Sequence, residues 1–227
     1  MDIWALVPVK SLLESKRRLS HLLSTEQRAE LIRGLLQHEL DVLSQVPAID
    51  EVLIISSDPT IWEIARQNGA LVEAEQASCG LNSAVARGME LAGKHGAAAV
   101  LILPVDLPFI AASDVDLMIK SGLDKETQDQ NSAQTSSLQS SNGTVSGWEP
   151  GCTIAICSDE DGNGTNAIFI STAKNFSFHF GPGSFQRHVE EAQERGMMVR
   201  IVSTSGLEFD LDNEHDWYTY QASMVGC

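Results

Sequence analysis

Residues 97–108 read AAAVLILPVDLP, an apolar run that ends with an aspartate between two prolines. The run Ala97 to Leu103 contains no polar residue, which is typical of a parallel strand buried on both faces. In open α/β sheets, ligands bind just beyond the carboxyl ends of such strands. Asp106 therefore stands where a ligand site is expected. A turn or cap aspartate is the alternative, because aspartate is common in turns.

Strand and helix patterns alternate on both sides of this stretch. Strand patterns lie before it at 3–9, 51–56 and 70–74, and after it at 152–157, 167–171 and 197–203. Helix patterns run from a capping box at 24–27 up to Pro47, from Asp58 to Gly69, from Gly80 to Lys94, and at 113–121, 183–195 and 214–222. The alternation predicts an α/β fold, with a mainly parallel mixed sheet and helices on both faces.

The length and composition suit one domain that spans residues 1–227, with 43% of the residues apolar. Asp124 to Pro150 is rich in Ser, Gln, Thr and Asn and nearly lacks large apolar side chains, which indicates a mobile surface insertion. No apolar run approaches the roughly 20 residues of a membrane span. The N-terminus begins at once with a strand pattern and has no secretory signal features. We therefore expect a cytoplasmic protein without a membrane partner.

The charge distribution excludes one class of partner and suggests another. A formal charge of −16 argues against nucleic acid, because a phosphate backbone binds basic surfaces. Yet four of the fifteen lysines and arginines fall between Lys10 and Arg18. Such a basic segment on an acidic protein suits a small polyanion, and a solvated charged loop is the alternative.

The four cysteines and six histidines show neither zinc-like nor triad-like spacing, so structural roles are expected for most of them. His188 is the exception that stays open. It lies one helical turn after Ser184, where a ligand contact is conceivable.

A second acidic motif, Asp210-Leu211-Asp212, follows about a hundred residues after Asp106. On an extended segment alternate residues share a face, so both of its carboxylates could face one ion. Carboxylate oxygens are the ligands that divalent cations such as Mg²⁺ prefer. Asp106 and Asp210 are the candidate metal ligands, whereas Asp212 is expected to cap the helix that follows.

Two glycine-containing loops are candidate anion sites. The loop DGNGTN at 161–166 could bring backbone N–H groups and the Thr165 hydroxyl to an anion, although such turns are common without one. In FGPGSF at 180–185, the proline can start a helix whose free N–H groups meet a phosphate or a carboxylate. Neither loop has the form of a P-loop or of a dinucleotide fingerprint.

Seven short motifs in this order resemble the 2-phospho-L-lactate guanylyltransferase family, which serves the biosynthesis of coenzyme F(420). They are VPVK at 7–10, KxRL at 16–19, LNxA at 81–84, LPxDLP at 103–108, DGxGTNA at 161–167, FGPGSF at 180–185 and DxD at 210–212. The resemblance implies a GT-A-like nucleotidyltransferase fold, as in nucleotide-diphospho-sugar transferases. It also implies GTP and a three-carbon phospho-acid as substrates: 2-phospho-L-lactate, phosphoenolpyruvate or 3-phosphoglycerate.

The same resemblance implies residue roles. The acid's phosphate is expected at Thr165, Gly181 and Ser184, and Mg²⁺ at Asp106 and Asp210. Among the basic and polar residues, we expect Lys10, Lys16 and Arg18 on the triphosphate and Asn82 on the guanine or the ribose. Asp106, Asp210 and Lys16 are the expected catalytic residues, Arg17 is expected to be solvated, and a homodimer is possible.

The predicted reaction is an in-line displacement in which the acid's phosphate attacks the α-phosphorus of GTP. The attacking phosphate is already an anion, so the reaction needs no catalytic triad, which agrees with the lack of triad-like spacing. The protein must supply positioning and charge neutralisation. One rival is another GT-A enzyme, either a nucleotide-sugar glycosyltransferase or a molybdopterin nucleotidyltransferase. The other rival is a non-catalytic nucleotide-binding module that kept the fold.

Overall fold

The computed structural model describes residues 1–75, 80–123 and 153–225. Its strands are β1 (Ile3–Pro8), β2 (Glu51–Ser56), β3 (Leu71–Ala74), β4 (Ala99–Ile102), β5 (Thr153–Ser158), β6 (Thr165–Ser171) and β7 (Met198–Ile201). They form one sheet in the order β3-β2-β1-β4-β6-β5-β7. Only β6 runs antiparallel to its neighbours, β4 and β5. The predicted mainly parallel mixed sheet is confirmed.

The helices begin and end close to the predicted positions. They are α1 (Thr25–Ser44), α2 (Pro59–Gln67), α3 (Gly80–Lys94), α4 (Ala112–Leu123), α5 (Ser184–Glu194), α6 (Ser205–Glu208) and α7 (Glu214–Val225). At the start of α1, Ser24 and Gln27 form the predicted capping box. Asp58 caps α2, which has Pro59 at its first position. The four-residue helix α6 and a short 3-10 helix at Arg17–Leu19 were not predicted.

Helices cover both faces of the sheet because the side chains of a strand alternate between its faces. In β1, for example, Ala5 and Val7 pack into a core that includes residues of α1, α2 and α4. Trp4 and Leu6 point the other way, into a core that includes residues of α3 and α5. Both cores are continuous across several strands, so the sheet is buried on both faces, as the unbroken apolar runs indicated.

The strand directions place several polar segments at one edge of the sheet. The parallel strands β1 to β4 all end at this edge, and so does β5. Because β6 is antiparallel, it begins there, which brings Thr165 and Asn166 beside the ends of its neighbours. Asp106 follows β4 at the same edge.

Two further expectations concern the polar insertion and the membrane. The insertion predicted at 124–150 lies outside the described residues. Within the described ranges, no helix is long and apolar enough to cross a membrane.

Candidate active site

Three carboxylates lie together at the edge where the parallel strands end. Asp106, Asp210 and Asp212 each contribute an oxygen, and these oxygens lie within 4.8 Å of one another. The backbone joins the two motifs, because the Leu211 N–H donates to the Asp106 carbonyl oxygen at 3.0 Å. The structure thus brings the two predicted metal ligands together and adds Asp212 to them.

Lys16 is bound to this acidic cluster, which consists of Asp106, Asp210 and Asp212. Its Nζ lies 2.8 Å from Asp106 Oδ2 and 2.9 Å from Asp212 Oδ1, and its side chain is only 5% exposed. Burial alone would lower the pKa of Lys16, but the two carboxylates outweigh burial and raise it. The lysine is therefore a fixed positive charge within the acidic cluster.

The backbone at Lys16 is strained in order to reach this position. Its φ of 51° is the only positive value at a non-glycine residue in the described part of the chain. A left-handed conformation costs an L-residue about 1–2 kcal/mol. The two ion pairs of its side chain offset that cost, so the loop after β1 is shaped around the acidic cluster.

The carboxylates differ in how well their charge is compensated. Burial, followed by the negative charges of Asp106 and Asp212, raises the pKa of Asp210 to about 7. Burial also opposes ionisation of Asp212, but Lys16 and then Arg18 hold its pKa below the usual value. One buried ammonium does not neutralise three acids, and within the described residues Asp210 is the acid that forms no salt bridge. Oxygen ligands at this spacing with uncompensated charge fit a divalent cation such as Mg²⁺.

The expectation that Asp212 caps the last helix was wrong. Asn213 caps α7 instead, because its Oδ1 accepts hydrogen bonds from the N–H groups of His215 at 2.8 Å and Asp216 at 3.3 Å. The Asp212 side chain is therefore free to pair with Lys16 and Arg18. Sequence spacing alone could not separate two capping candidates that are adjacent in the chain.

The other basic residues of the segment remain near the surface. Lys10 is exposed just after β1. Arg18 is exposed as well and reaches Asp212 at 3.5 Å. Arg17 pairs with Glu14, and both side chains are exposed, as expected for a solvated pair. Of the three residues predicted on the triphosphate, Lys10 and Arg18 are accessible, whereas the Lys16 ammonium already contacts two carboxylates.

Thr165, which precedes Asn166 in β6, forms a buried hydroxyl cluster with Ser184 and His188. Thr165 Oγ1 lies 3.0 Å from Ser184 Oγ and 3.0 Å from His188 Nδ1. Burial, and then the nearby charges of His179 and Arg187, lower the pKa of His188 to about 3, so the imidazole is neutral. The two hydroxyls predicted to hold the acid are thus brought together, on β6 and at the start of α5.

The glycine loop at 161–166 does not offer its amides to a ligand. The N–H groups of Asn163 and Gly164 donate to the Asp159 carboxylate, each at 2.7 Å, and the Gly162 N–H donates to the Asp159 carbonyl. The expectation of an anion-binding backbone was therefore wrong for these three amides. The loop already holds an anion, which is the side chain of Asp159.

The start of α5 is likewise occupied by this loop. The N–H of Gly183 donates to Asn163 Oδ1 at 3.1 Å, and the N–H of Phe185 donates to the Asn163 carbonyl at 3.2 Å. These two amides therefore do not meet a phosphate, contrary to the expectation for this helix start. Gly181 remains exposed in a backbone conformation with φ of 126° that favours glycine.

Two asparagines connect these segments. The side-chain amide of Asn82 accepts from the Phe180 N–H at 2.6 Å and donates to the Phe180 carbonyl at 3.3 Å, so it positions the FGPGSF loop. Buried Asn166 donates to the Leu207 and Glu208 carbonyls, each at 3.0 Å, and lies 3.5 Å from Asp210 Oδ1. Asn166 belongs to the loop 161–166 that was predicted to contact an anion, but the sequence did not predict its contacts with Leu207, Glu208 and Asp210.

A small open cleft lies at the carboxyl ends of β2 and β3, next to the start of α3. Its described lining consists of Ile55, Glu73, Ala74, Glu75, Ser83, Ala84 and Arg87. Arg87 pairs with Glu73 at 2.5 Å. Strands of a sheet are about 4.8 Å apart, so this cleft lies roughly 10–15 Å across the sheet edge from Asp106.

The chain is similar to known proteins over nearly its whole length. The family described as "Guanylyl transferase CofC like" matches residues 3–128 and 152–220, and leaves 129–151 unmatched. The phosphoenolpyruvate guanylyltransferase of Rubrobacter xylanophilus is 34% identical over 223 residues, which cover 98% of this chain and 95% of that protein. The 2-phospho-L-lactate guanylyltransferase of Methanothermobacter thermautotrophicus is 26% identical over 216 residues, which cover 95% of this chain and 82% of that protein.

A solved structure gives the same answer for the fold. A protein from Desulfovibrio desulfuricans G20 that is assigned to the nucleotide-diphospho-sugar transferases superposes with a TM-score of 0.71 at 18% identity. The match covers 98% of this chain and 88% of that one. The predicted nucleotidyltransferase fold is confirmed.

Proposed function

The chain belongs to the family of CofC-like guanylyl transferases, and from this membership we propose that it transfers GMP from GTP to a three-carbon phospho-acid. Membership makes it a nucleotidyltransferase. The names of two relatives specify phosphoenolpyruvate and 2-phospho-L-lactate. These two acids and 3-phosphoglycerate are the candidate acceptors, and the product would enter coenzyme F(420) biosynthesis.

In the proposed reaction an oxygen of the acid's phosphate forms a bond to the α-phosphorus of GTP. The bond from that phosphorus to the β-phosphate oxygen breaks, and pyrophosphate leaves with the electron pair. The attacking oxygen is already an anion, so no side chain has to remove a proton from it. What the chain must supply is alignment of two polyanions that repel each other.

The acidic cluster supports a metal-dependent version of this reaction. Mg²⁺, held by Asp106 and Asp210 with Asp212 as a further candidate ligand, would supply positive charge to the phosphates when bound. Lys16 keeps Asp106 and Asp212 in place through its two ion pairs. Exposed Lys10 and Arg18 are the residues we propose for the triphosphate.

The hydroxyl cluster supports the acid site, and the cleft supports the base site. Thr165, with Ser184 behind it, would donate a hydrogen bond to the acid, next to exposed Gly181. The cleft at β2 and β3 offers the carboxylate of Glu75 and the hydroxyl of Ser83. Guanine presents adjacent N–H donors that suit a carboxylate, and the distance from cleft to acidic cluster suits a nucleotide lying across the sheet edge.

The observation that carries the proposal is the undercompensated acidic cluster at the edge where the parallel strands end, in a chain of this family whose strand β6 begins at the same edge with the neutral hydroxyl cluster. The decisive experiment measures pyrophosphate release with GTP, Mg²⁺ and each of the three acids, followed by mass spectrometry of the product. One acid should give a guanylylated product, with ATP and CTP reacting far more slowly. Pyrophosphate release that does not depend on any of the acids would contradict the proposal.

Two further proposals concern the location of the protein in the cell and its oligomeric state. A cytoplasmic location is proposed because GTP and phospho-acids are metabolites of that compartment, and cell fractionation would test it. A homodimer stays a prediction that light scattering on the purified protein would test.

A further inference from the structure

We propose that His188 is a positioning residue that turns the Thr165 hydroxyl into a donor-only group for an anionic oxygen of the acid substrate. The inference rests on the proposed function, since it names how the acid site of that function is set. It concerns a buried residue that has no contact with the carboxylates of the acidic cluster and that packs beneath the loop before α5, through His179 and Phe180. Three steps lead to it.

The first step fixes the tautomer of His188. The backbone N–H of His179 donates to His188 Nε2 at 2.8 Å, so Nε2 must be an acceptor without a proton. The ring is fully buried and lies among Phe176, Phe178 and Phe180, which disfavours the charged form. A neutral imidazole with an unprotonated Nε2 carries its proton on Nδ1. His188 therefore donates from Nδ1 to Thr165 Oγ1.

The second step fixes the direction of the two hydroxyls. Ser184 is 1% exposed, and within the described residues its Oγ has Thr165 Oγ1 as its only partner. If Thr165 donated to Ser184, the Ser184 proton would be buried without an acceptor, which is unfavourable. The favoured arrangement has Ser184 donating to Thr165. The two lone pairs of Thr165 Oγ1 then accept from Ser184 and His188.

The third step follows from counting what remains on Thr165. A hydroxyl has one proton and two lone pairs, and both lone pairs are used. The remaining proton belongs to Thr165, a residue that is 7% exposed against 1% for Ser184. Thr165 can thus only donate, and the best acceptor is an anionic oxygen of a phosphate or carboxylate. Because His188 is neutral, it orders this donor without adding a charge of its own.

The tautomer can be tested without any turnover. Long-range ¹H–¹⁵N correlation spectra of the ¹⁵N-labelled protein at pH 6–8 distinguish protonated from unprotonated imidazole nitrogens, and the His188→Asn variant assigns the signal. We expect a neutral ring with the proton on Nδ1. A proton on Nε2, or a charged ring, would overturn the inference even if the enzyme is active.

A matched pair of variants tests the effect on the acid. The amide of His188→Asn can place an N–H near the position of Nδ1, whereas that of His188→Gln reaches the position of Nε2 and leaves Thr165 without its donor. We expect His188→Gln to raise the KM for the acid about tenfold and the KM for GTP less than twofold, with a smaller effect for His188→Asn. His95→Gln, on an exposed histidine at the opposite edge, is the control. Equal effects on both substrates would indicate a merely structural role and overturn the inference.

A double-mutant cycle asks whether His188 acts through Thr165. If it does, adding His188→Gln to Thr165→Val should change the KM for the acid less than twofold further. Fully additive effects would contradict the inference. Calorimetric titration of each acid and of inorganic phosphate into the wild-type protein distinguishes failure of the proposed function from failure of the proposed role of His188. Binding of an acid without product formation would defeat the proposed function alone, whereas no binding of any probe would defeat the role of His188.

Discussion

The acidic cluster and the hydroxyl cluster are stabilised in opposite ways. In the first, three carboxylates face one ammonium, and burial with neighbouring charge raises the pKa of Asp210 to about 7. In the second, a neutral histidine and two hydroxyls satisfy one another except for a single proton. Under the proposed function, the difference distinguishes a region whose charge is left uncompensated for a cation from one whose donors are ordered for an anion.

The largest fall in kcat is expected when a carboxylate of the acidic cluster is removed. Asp106→Asn and Asp210→Asn, made separately, should each lower kcat at least about 100-fold with Mg²⁺ present, because a neutral amide is a weaker ligand than a carboxylate. Pyrophosphate release measures the rate, and thermal unfolding verifies the fold. Asp116→Asn, on the exposed side of α4, is the matched control. Near-normal rates in either active-site variant would remove the metal role from the proposal.

A smaller effect is expected when the single ammonium is removed. Lys16→Met should lower kcat roughly 10–100-fold, because Asp106 and Asp212 lose the partner that orients them. The same change should tighten Mg²⁺ binding, since one competing cation is gone. Calorimetric Mg²⁺ titration measures this, with Arg17→Met as the exposed control. Weaker Mg²⁺ binding in Lys16→Met would show that the lysine supports the metal site in another way.

A substitution in the hydroxyl cluster should raise the KM for the acid more than the KM for GTP. Ser184→Ala removes a hydrogen bond within the pair, so the KM for the acid should rise about fivefold while the KM for GTP changes little. Initial rates at varied concentrations of each substrate measure both constants. A parallel rise of the two KM values would contradict the separation of the clusters.

The smallest expected effect tests how far the charge of the acidic cluster extends. Within the described ranges, both carboxylate oxygens of buried Glu39 lack a hydrogen-bond partner. Burial, and then the charge of Asp106, raises the pKa of Glu39 well above its usual value. The folded state therefore keeps a proton that the unfolded state loses above about pH 4.3, and stability falls as pH rises toward the folded pKa.

Glu39→Met removes this titration. Its Tm should exceed that of the wild type by several degrees, and the gap should widen from pH 5 to pH 8. Differential scanning calorimetry measures both values. In an Asp106→Asn background the Tm difference between the Glu39→Met variant and its parent should be smaller, because the charge of Asp106 is gone. A Tm difference that does not depend on pH would exclude titration of Glu39 as its cause.

The sequence was sufficient for the parts of the site that depend on local pattern. Asp106 could be identified as a site residue because an apolar strand and two prolines surround it, and the capping box at 24–27 marked the start of α1. It was not sufficient for contacts between distant residues. Lys16 pairs with partners 90 and 196 positions away, and nothing in its own neighbourhood indicates that it is buried.

The prediction that the glycine loop binds an anionic ligand through its amides was wrong for a related reason. A run of glycines shows that amides can approach an anion, but it does not show which anion they meet. Here the carboxylate of Asp159, only two residues before the predicted motif, accepts hydrogen bonds from the N–H groups of Asn163 and Gly164. Asp212 was misassigned in the same way, because the choice between it and Asn213 depends on the geometry of the helix entry.

The double contact of Asn163 with Gly183 and Phe185 has a practical consequence for engineering. Because one asparagine joins the glycine loop to the start of α5 through two hydrogen bonds, replacing one segment alone would remove contacts of the other. Chimaeras with relatives that use a different acid should therefore transplant 159–166 and 180–188 as one cassette.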